Sequence, residues 1–164
     1  MDRLWSPWRM EYIEAARDDE EEVGCVFCRL LEGDHPGDER ILARDELAFV
    51  TLAKYPYNPG HLLILPVRHT ADLEDLSDPE QAAIDRMVTR GVRALREVAD
   101  PQGFNVGINL GRVAGAGIPE HLHWHVVPRW GGDTNYMPVV GKTRVLPELL
   151  HETYVKLRPR FVET

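Results

Sequence analysis

The chain has 164 residues, 43% of them hydrophobic, with 27 acidic against 19 basic side chains and a formal net charge of −8. That length and apolar content fit one globular domain with its own core and exclude a disordered chain. No apolar run approaches the roughly 20 residues that cross a bilayer, Met1-Asp2-Arg3-Leu4-Trp5 lacks the apolar stretch of a secretory signal, and an acidic surface repels long nucleic acid. The expectation is a soluble, cytoplasmic domain with neither membrane nor long nucleic acid as partner.

In chain order, Ser6 with Pro7 predicts a short N-terminal helix carrying Trp5 and Trp8, cut off from the body by the acidic run Asp18–Glu22. Residues 1–22 are thus read as an N-terminal arm, 23–130 as the core and 131–164 as a C-terminal arm. Cys25 and Cys28, the only cysteines, are spaced for either a redox pair or half of a zinc site. Leu47–Leu52 and His61–Leu65 read as strands joined through the turn-rich Tyr55-Pro56-Tyr57-Asn58-Pro59-Gly60. Ser77-Asp78-Pro79-Glu80 reads as a capping box, and Ile84, Met87, Val88, Val92, Leu95 and Val98 form the apolar stripe of a long helix stopped at Asp100-Pro101.

Phe104–Leu110 and His121–Val127 are the next predicted strands. A last helix is predicted over 146–157, with Leu146, Leu149, Leu150, Tyr154 and Leu157 on one side. The sum is an α+β domain: a mainly antiparallel sheet, one long helix packed on it, and helical arms at both ends.

Side chains two apart on a strand share a face, so His121, His123 and His125 stand together while Leu122, Trp124 and Val126 face the core. Three imidazoles in a row cost stability unless a ligand uses them. Two chemistries fit: a metal cage, or a nucleophilic imidazole that attacks phosphorus while its neighbours bind charge. The glycine-rich Asn109–Gly117 stretch upstream offers backbone N–H groups for phosphate.

His121-Leu122-His123-Trp124-His125-Val126-Val127 resembles the signature of the histidine-triad (HIT) superfamily of nucleotide hydrolases and transferases. Asn58–Pro66 is similar to that family's upstream strand with a fourth histidine. Leu4–Met10 and Val127–Pro138 resemble its bacterial diadenosine polyphosphate phosphorylase branch.

The resemblance implies a HIT-like fold and a residue-by-residue site. His123 would attack the α-phosphorus and form a nucleotidyl-histidine intermediate. His125 would hydrogen-bond the phosphate or leaving group, and His61 would join the same network. Asn109 would contact the phosphate region, with the backbone of Gly115, Ala116, Gly117 and Ile118 on the phosphate oxygens. One position departs from the pattern: where many relatives place Asp or Asn for the ribose, this chain has Ala53, and Lys54 or Thr51 are the nearby substitutes. Arg129, with Arg112, Lys142 and Arg144, would make the pocket locally positive, and Trp130 would reach substrate, in its own site or that of a second subunit.

Some relatives bind zinc through positions matching Cys25, Cys28, His69 and His121, which implies a closed structural Cys2His2 site, with His35 as the other choice of fourth ligand. No organic cofactor is implied. The expected activity is cleavage of a nucleotide phosphoanhydride, a diadenosine polyphosphate above all, with phosphate or water as acceptor. Cleavage of a nucleoside phosphoramidate, a low-turnover nucleotide sensor, and a metal-dependent enzyme using the three strand histidines are the competing readings. The resemblance also implies a homodimer whose sheets join across a two-fold axis.

Overall fold

The computed structural model describes residues 24–33, 40–133 and 147–162. The expected N-terminal helix, His35, Lys142 and Arg144 lie outside them. The elements are α1 (Val26–Glu32), β1 (Ile41–Arg44), β2 (Ala48–Leu52), β3 (Leu62–Pro66), α2 (Asp78–Ala99), β4 (Gly103–Ile108), β5 (Trp124–Arg129) and α3 (Leu150–Leu157). The five strands form one antiparallel sheet in the order β1-β2-β3-β5-β4. This is the expected α+β arrangement.

β2 and β3 are buried at every position. Alternation explains why: Ala48, Val50, Leu52, Leu62 and Ile64 join the core under α2, while Phe49, Leu63 and Leu65 form a second cluster with Phe27 and Ala53 on the opposite face. A strand covered on both faces reads as a continuous apolar run, which is how both strands look in the sequence. α2 seats closely on the first face. A Cβ on Gly91 would come within 2.9 Å of Leu62 Cδ1, so glycine there sets the helix-to-sheet approach.

α2 begins as its sequence predicts. The Glu80 carboxylate accepts hydrogen bonds from Ser77 N at 2.9 Å and Ser77 Oγ at 2.8 Å, with Pro79 in the first turn. The same carboxylate takes Arg68 Nε at 2.8 Å and Nη2 at 3.0 Å. Arg68, and first of all its hydrogen bonds, holds Glu80 well below the usual carboxylate range, at about 2. The helix stops at Asp100, which takes a left-handed φ of 42° directly before Pro101.

Three expectations are corrected. The strand predicted from His121 starts at Trp124, because Leu122 N donates to Thr70 O at 2.8 Å outside the ladder. The faces still alternate as expected, with Leu122 and Val126 in the core and Trp124 packed against it. The last helix starts at Leu150 rather than 146: Leu149 is extended at its N-cap, 71% exposed, and off the apolar side on which Leu157 is buried. Finally, α1 and β1 have no counterpart among the predicted elements. None of the described helices is long and apolar enough to cross a membrane.

Candidate active site and metal centre

The second face of the sheet carries the histidines. At one end, α1 brings Cys25 and Cys28 to His69, three residues beyond β3, and to His121, just before β5. Cys25 Sγ lies 3.4 Å from His121 Nδ1, and Cys28 Sγ lies 3.4 Å from His69 Nδ1 and 3.7 Å from His121 Nδ1. Two ligands of one tetrahedral zinc, at about 2.3 Å for sulfur and about 2.1 Å for nitrogen, sit about 3.6 Å apart. All four ligand atoms lie within 4.8 Å of one another. His121 Nε2 donates to Pro66 O at 3.0 Å, so its lone pair is on Nδ1, the atom facing the sulfurs. Burial, then the neighbouring Cys25, pushes the Cys28 thiol up to about 11. A divalent cation would reverse that preference and hold both sulfurs as thiolates. The donor set therefore fits zinc, as the sequence led us to expect.

His123 comes next. It is 6% exposed, and its Nδ1 donates to the backbone carbonyl of His121 at 2.8 Å. A carbonyl only accepts, so the proton is on Nδ1 and the lone pair on Nε2. Burial lowers the pKa of His123, which keeps that lone pair free at neutral pH. The Phe27 ring, from inside the Cys-x-x-Cys segment, packs 5.6 Å from His121 and 5.5 Å from His123, centre to centre.

Beyond His123 stand His125 and His61. Tyr57 N donates to His61 Nδ1 at 3.1 Å, which leaves the His61 proton on Nε2, 2.9 Å from His125 Nδ1. His125 then carries its proton on Nε2, an atom shielded from water and without a hydrogen-bond partner among the described residues. Leaving a buried donor unpaired costs about 1–3 kcal/mol. Burial first, and then the His123 ring, pushes His125 down to about 4, so it too is neutral at pH 7. The Tyr57 ring stacks on both partners, 4.7 Å from His61 and 5.8 Å from His125. Asn58 beside it donates to Pro128 O and to Asp133, both at 2.9 Å, which anchors the turn.

Other expected site residues fall less simply. Asn109 Nδ2 reaches Gly115 O at 3.5 Å and so braces the glycine-rich loop. Within that loop Gly115 N donates to Arg112 O at 2.9 Å and Ala116 N to Gly111 O at 3.2 Å. These two amides, expected on phosphate, are spent inside the turn. Gly117 and Ile118 keep theirs, with no acceptor among the described residues. Ala53 is buried beside Phe27 and Phe49, and Thr51, also buried, donates to Leu52 O at 3.3 Å. Lys54 is exposed, with Nζ 5.5 Å from the centre of the Tyr55 ring.

Arg129 is engaged with neighbouring side chains. Its guanidinium forms a two-point pair with Asp133, at 2.6 and 2.9 Å, and donates to Asn105 at 2.8 Å. Four residues along β5 from His125 place it about 13 Å away, with its charge already matched. Trp130 Nε1 donates to Ala99 O at 3.3 Å, which pins that ring to the end of α2.

The strand histidines do not assemble a three-histidine metal cage among the described residues, because His121 turns to the cysteines and His125 to His61. Sequence reasoning missed Tyr57, Phe27 and the Arg68–Glu80 pair. Tyr57 sits in a segment so rich in turn residues that its ring gave no separate signal. Phe27 was legible only as the residue between the two cysteines.

A HIT domain model matches residues 36–132 of the chain. An Ap4A phosphorylase of Mycobacterium tuberculosis is 42% identical over 157 residues, covering 93% of this chain and 80% of that protein. An adenosine 5'-monophosphoramidase of Schizosaccharomyces pombe is 33% identical over 107 residues, covering 65% of this chain and 75% of that one. Among solved structures, a zinc-bound histidine triad family protein from Mycobacterium smegmatis superposes with a TM-score of 0.68 at 33% identity, covering 84% of this chain and 93% of that one. On the matched domain and these identities, the chain belongs to the HIT family.

Proposed function

We propose that this HIT-family enzyme, which processes nucleotides, cleaves dinucleoside polyphosphates through a covalent intermediate on His123. The observation that carries it is the pairing of two neutral imidazoles, whose rings lie 5.1 Å apart, with opposite proton placement: a lone pair on His123 Nε2 and an unpartnered N–H on His125. That is the arrangement a nucleophile and a hydrogen-bond donor to the departing oxygen need across one phosphoryl group.

In the first step the His123 Nε2 lone pair forms a bond to the α-phosphorus, and the bond from phosphorus to the bridging oxygen breaks. The departing oxygen leaves as a polyphosphate anion and accepts a hydrogen bond from His125 Nε2–H, which stabilises its charge. His123 becomes cationic while its Nδ1–H stays on the His121 carbonyl, which stabilises that charge. The amides of Gly117 and Ile118, steadied by Asn109, meet the non-bridging oxygens where charge gathers. In the second step an oxygen of phosphate or water attacks phosphorus, the P–N bond breaks with its electron pair returning to His123 Nε2, and the proton of an attacking water passes to solvent. Lys54 would serve the ribose side in place of the Asp or Asn side chain missing at Ala53. Cys25, Cys28, His69 and His121 would hold zinc, which supplies a fixed cross-link behind the nucleophile.

The relative named Ap4A phosphorylase supports diadenosine tetraphosphate as substrate and phosphate as acceptor. The exposed edge of β4, with Val106 at 49% exposure, supports a homodimer joined through the sheet. The deciding experiment incubates the protein with diadenosine tetraphosphate, with and without inorganic phosphate. ADP plus ATP is the expected product pair with phosphate, and AMP plus ATP without it. No turnover under either condition would overturn the proposal, and turnover of adenosine 5'-phosphoramidate alone would move the activity to the phosphoramidase side of the family.

A further inference from the structure

Gly107 lies opposite His125 in the β4–β5 ladder, so the side chain it lacks would stand beside the His125 ring on the same face. On its other flank His125 faces Leu63, part of the filled cluster of Phe27, Phe49, Ala53, Leu65 and Ile118. The two flanks differ in kind. One is packed with apolar side chains; the other carries Gly107 and, two residues back, Asn105, whose amide is held by Arg129.

Nothing in the fold requires glycine at this position. Its backbone is ordinary extended strand without a positive φ, and a Cβ built on it meets no described atom within 4 Å. Glycine inside a strand weakens it, and where neither conformation nor internal contacts ask for it, it marks a place where another molecule comes close to the backbone. The N–H left unpaired on His125 says what comes close: the part of the substrate that departs with the bridging oxygen.

We infer that Gly107 is a specificity-determining position, a bare stretch of strand over which the leaving portion of the substrate lies, so that a bulky polyphosphate-linked nucleotide is admitted as readily as a small amine. This rests on the phosphoryl-transfer site proposed above and adds which flank of it takes the leaving group.

The test compares wild type with G107V and G107A on two substrates that share the adenylyl group. Diadenosine tetraphosphate releases ATP, and adenosine 5'-phosphoramidate releases ammonia. The expected result is a fall of at least about tenfold in the ratio of kcat/KM for the large leaving group over the small one in G107V, with a smaller fall in G107A. The thermal midpoint of G107V should be no lower than that of wild type, since a β-branched residue favours the strand. Light scattering on each variant reports the assembly state. An unchanged ratio in both variants overturns the inference, and so does an equal loss on both substrates, which would mark a packing or assembly role. Failure of wild type on both substrates would instead remove the activity on which the inference stands, and the inference with it.

Discussion

His121 and His61 stand at opposite ends of the histidine row that includes His123, and the protein treats the two imidazoles in opposite ways. At the cysteine end, His121 gives its Nε2 proton to Pro66 O and turns the Nδ1 lone pair toward two sulfurs. At the other end, His61 accepts the Tyr57 amide on Nδ1 and hands its Nε2 proton toward His125. The first end is built to hold a cation and stay still. The second lines its N–H groups up in one direction and ends in a donor without a partner among the described residues. The difference comes from which backbone group, carbonyl or amide, each ring meets, since the residue type is the same.

Removing the residue between the two ends should have the largest effect. His123→Ala should lower kcat/KM by about 10⁴-fold or more, since no other described imidazole presents a free Nε2 to the same place. Retained activity in that variant would end the assignment. Next, Cys28→Ser, or stripping metal with a chelator, should lower the unfolding free energy by about 3 kcal/mol or more, read as a drop in thermal midpoint. Metal analysis should give zinc in wild type and loss of it in the variant. Equal thermal midpoints would show that this end does not hold a cation.

The His61 end is tested by His61→Ala, with an expected loss of about 10²-fold in kcat and a thermal midpoint changed less than in Cys28→Ser. The reverse ranking would erase the contrast between the two ends. The pH profile sharpens it further. Burial lowers both His123 and His125, the latter to about 4, so wild-type kcat/KM should hold its plateau to below pH 6.5 and fall only as the His123 lone pair takes a proton. An acid limb centred at 6.5 would mean solvated imidazoles.

The smallest effect belongs to Glu80. Its folded pKa of about 2 lies below the ordinary value of 4.5, so its stabilisation is complete above pH 4.5 and is lost as pH falls from there toward 2. Glu80→Gln should cost about 2 kcal/mol at pH 7 and flatten the stability curve over that interval, measured by denaturant unfolding.

Much of this site was legible in the sequence because its signals are periodic or spaced. Alternation put the three triad histidines on one side, and Cys25, Cys28, His69 and His121 were matched as a set. The capping box at Ser77 and the stop at Asp100 were equally plain. What escaped depends on where backbone groups end up. No spacing shows that the Gly115 and Ala116 amides close their own turn, or that Asp133, beyond two glycines, claims Arg129. β1 is four residues long, too short for a period. α1 has seven, and its N-cap Cys25 makes no side-chain cap bond, so only Gly33, left-handed at φ 76°, announces it from the far end. Leu149 misled because a helical stripe was extended across Pro147 into a segment that is not helical.

Cys25 and His121 stand 96 residues apart in the chain, with ligand atoms 3.4 Å apart. A cation between them therefore closes a loop that encloses β1 to β4 and all of α2. Cross-linking so long a loop removes about 4–5 kcal/mol worth of freedom from the unfolded chain, on the scale of a disulfide spanning the same length. In a reducing compartment a disulfide would not last; zinc would give the chain the same economy of disorder without an oxidant. It would fasten a helix too short to persist alone, and with it Phe27, against the His123 ring.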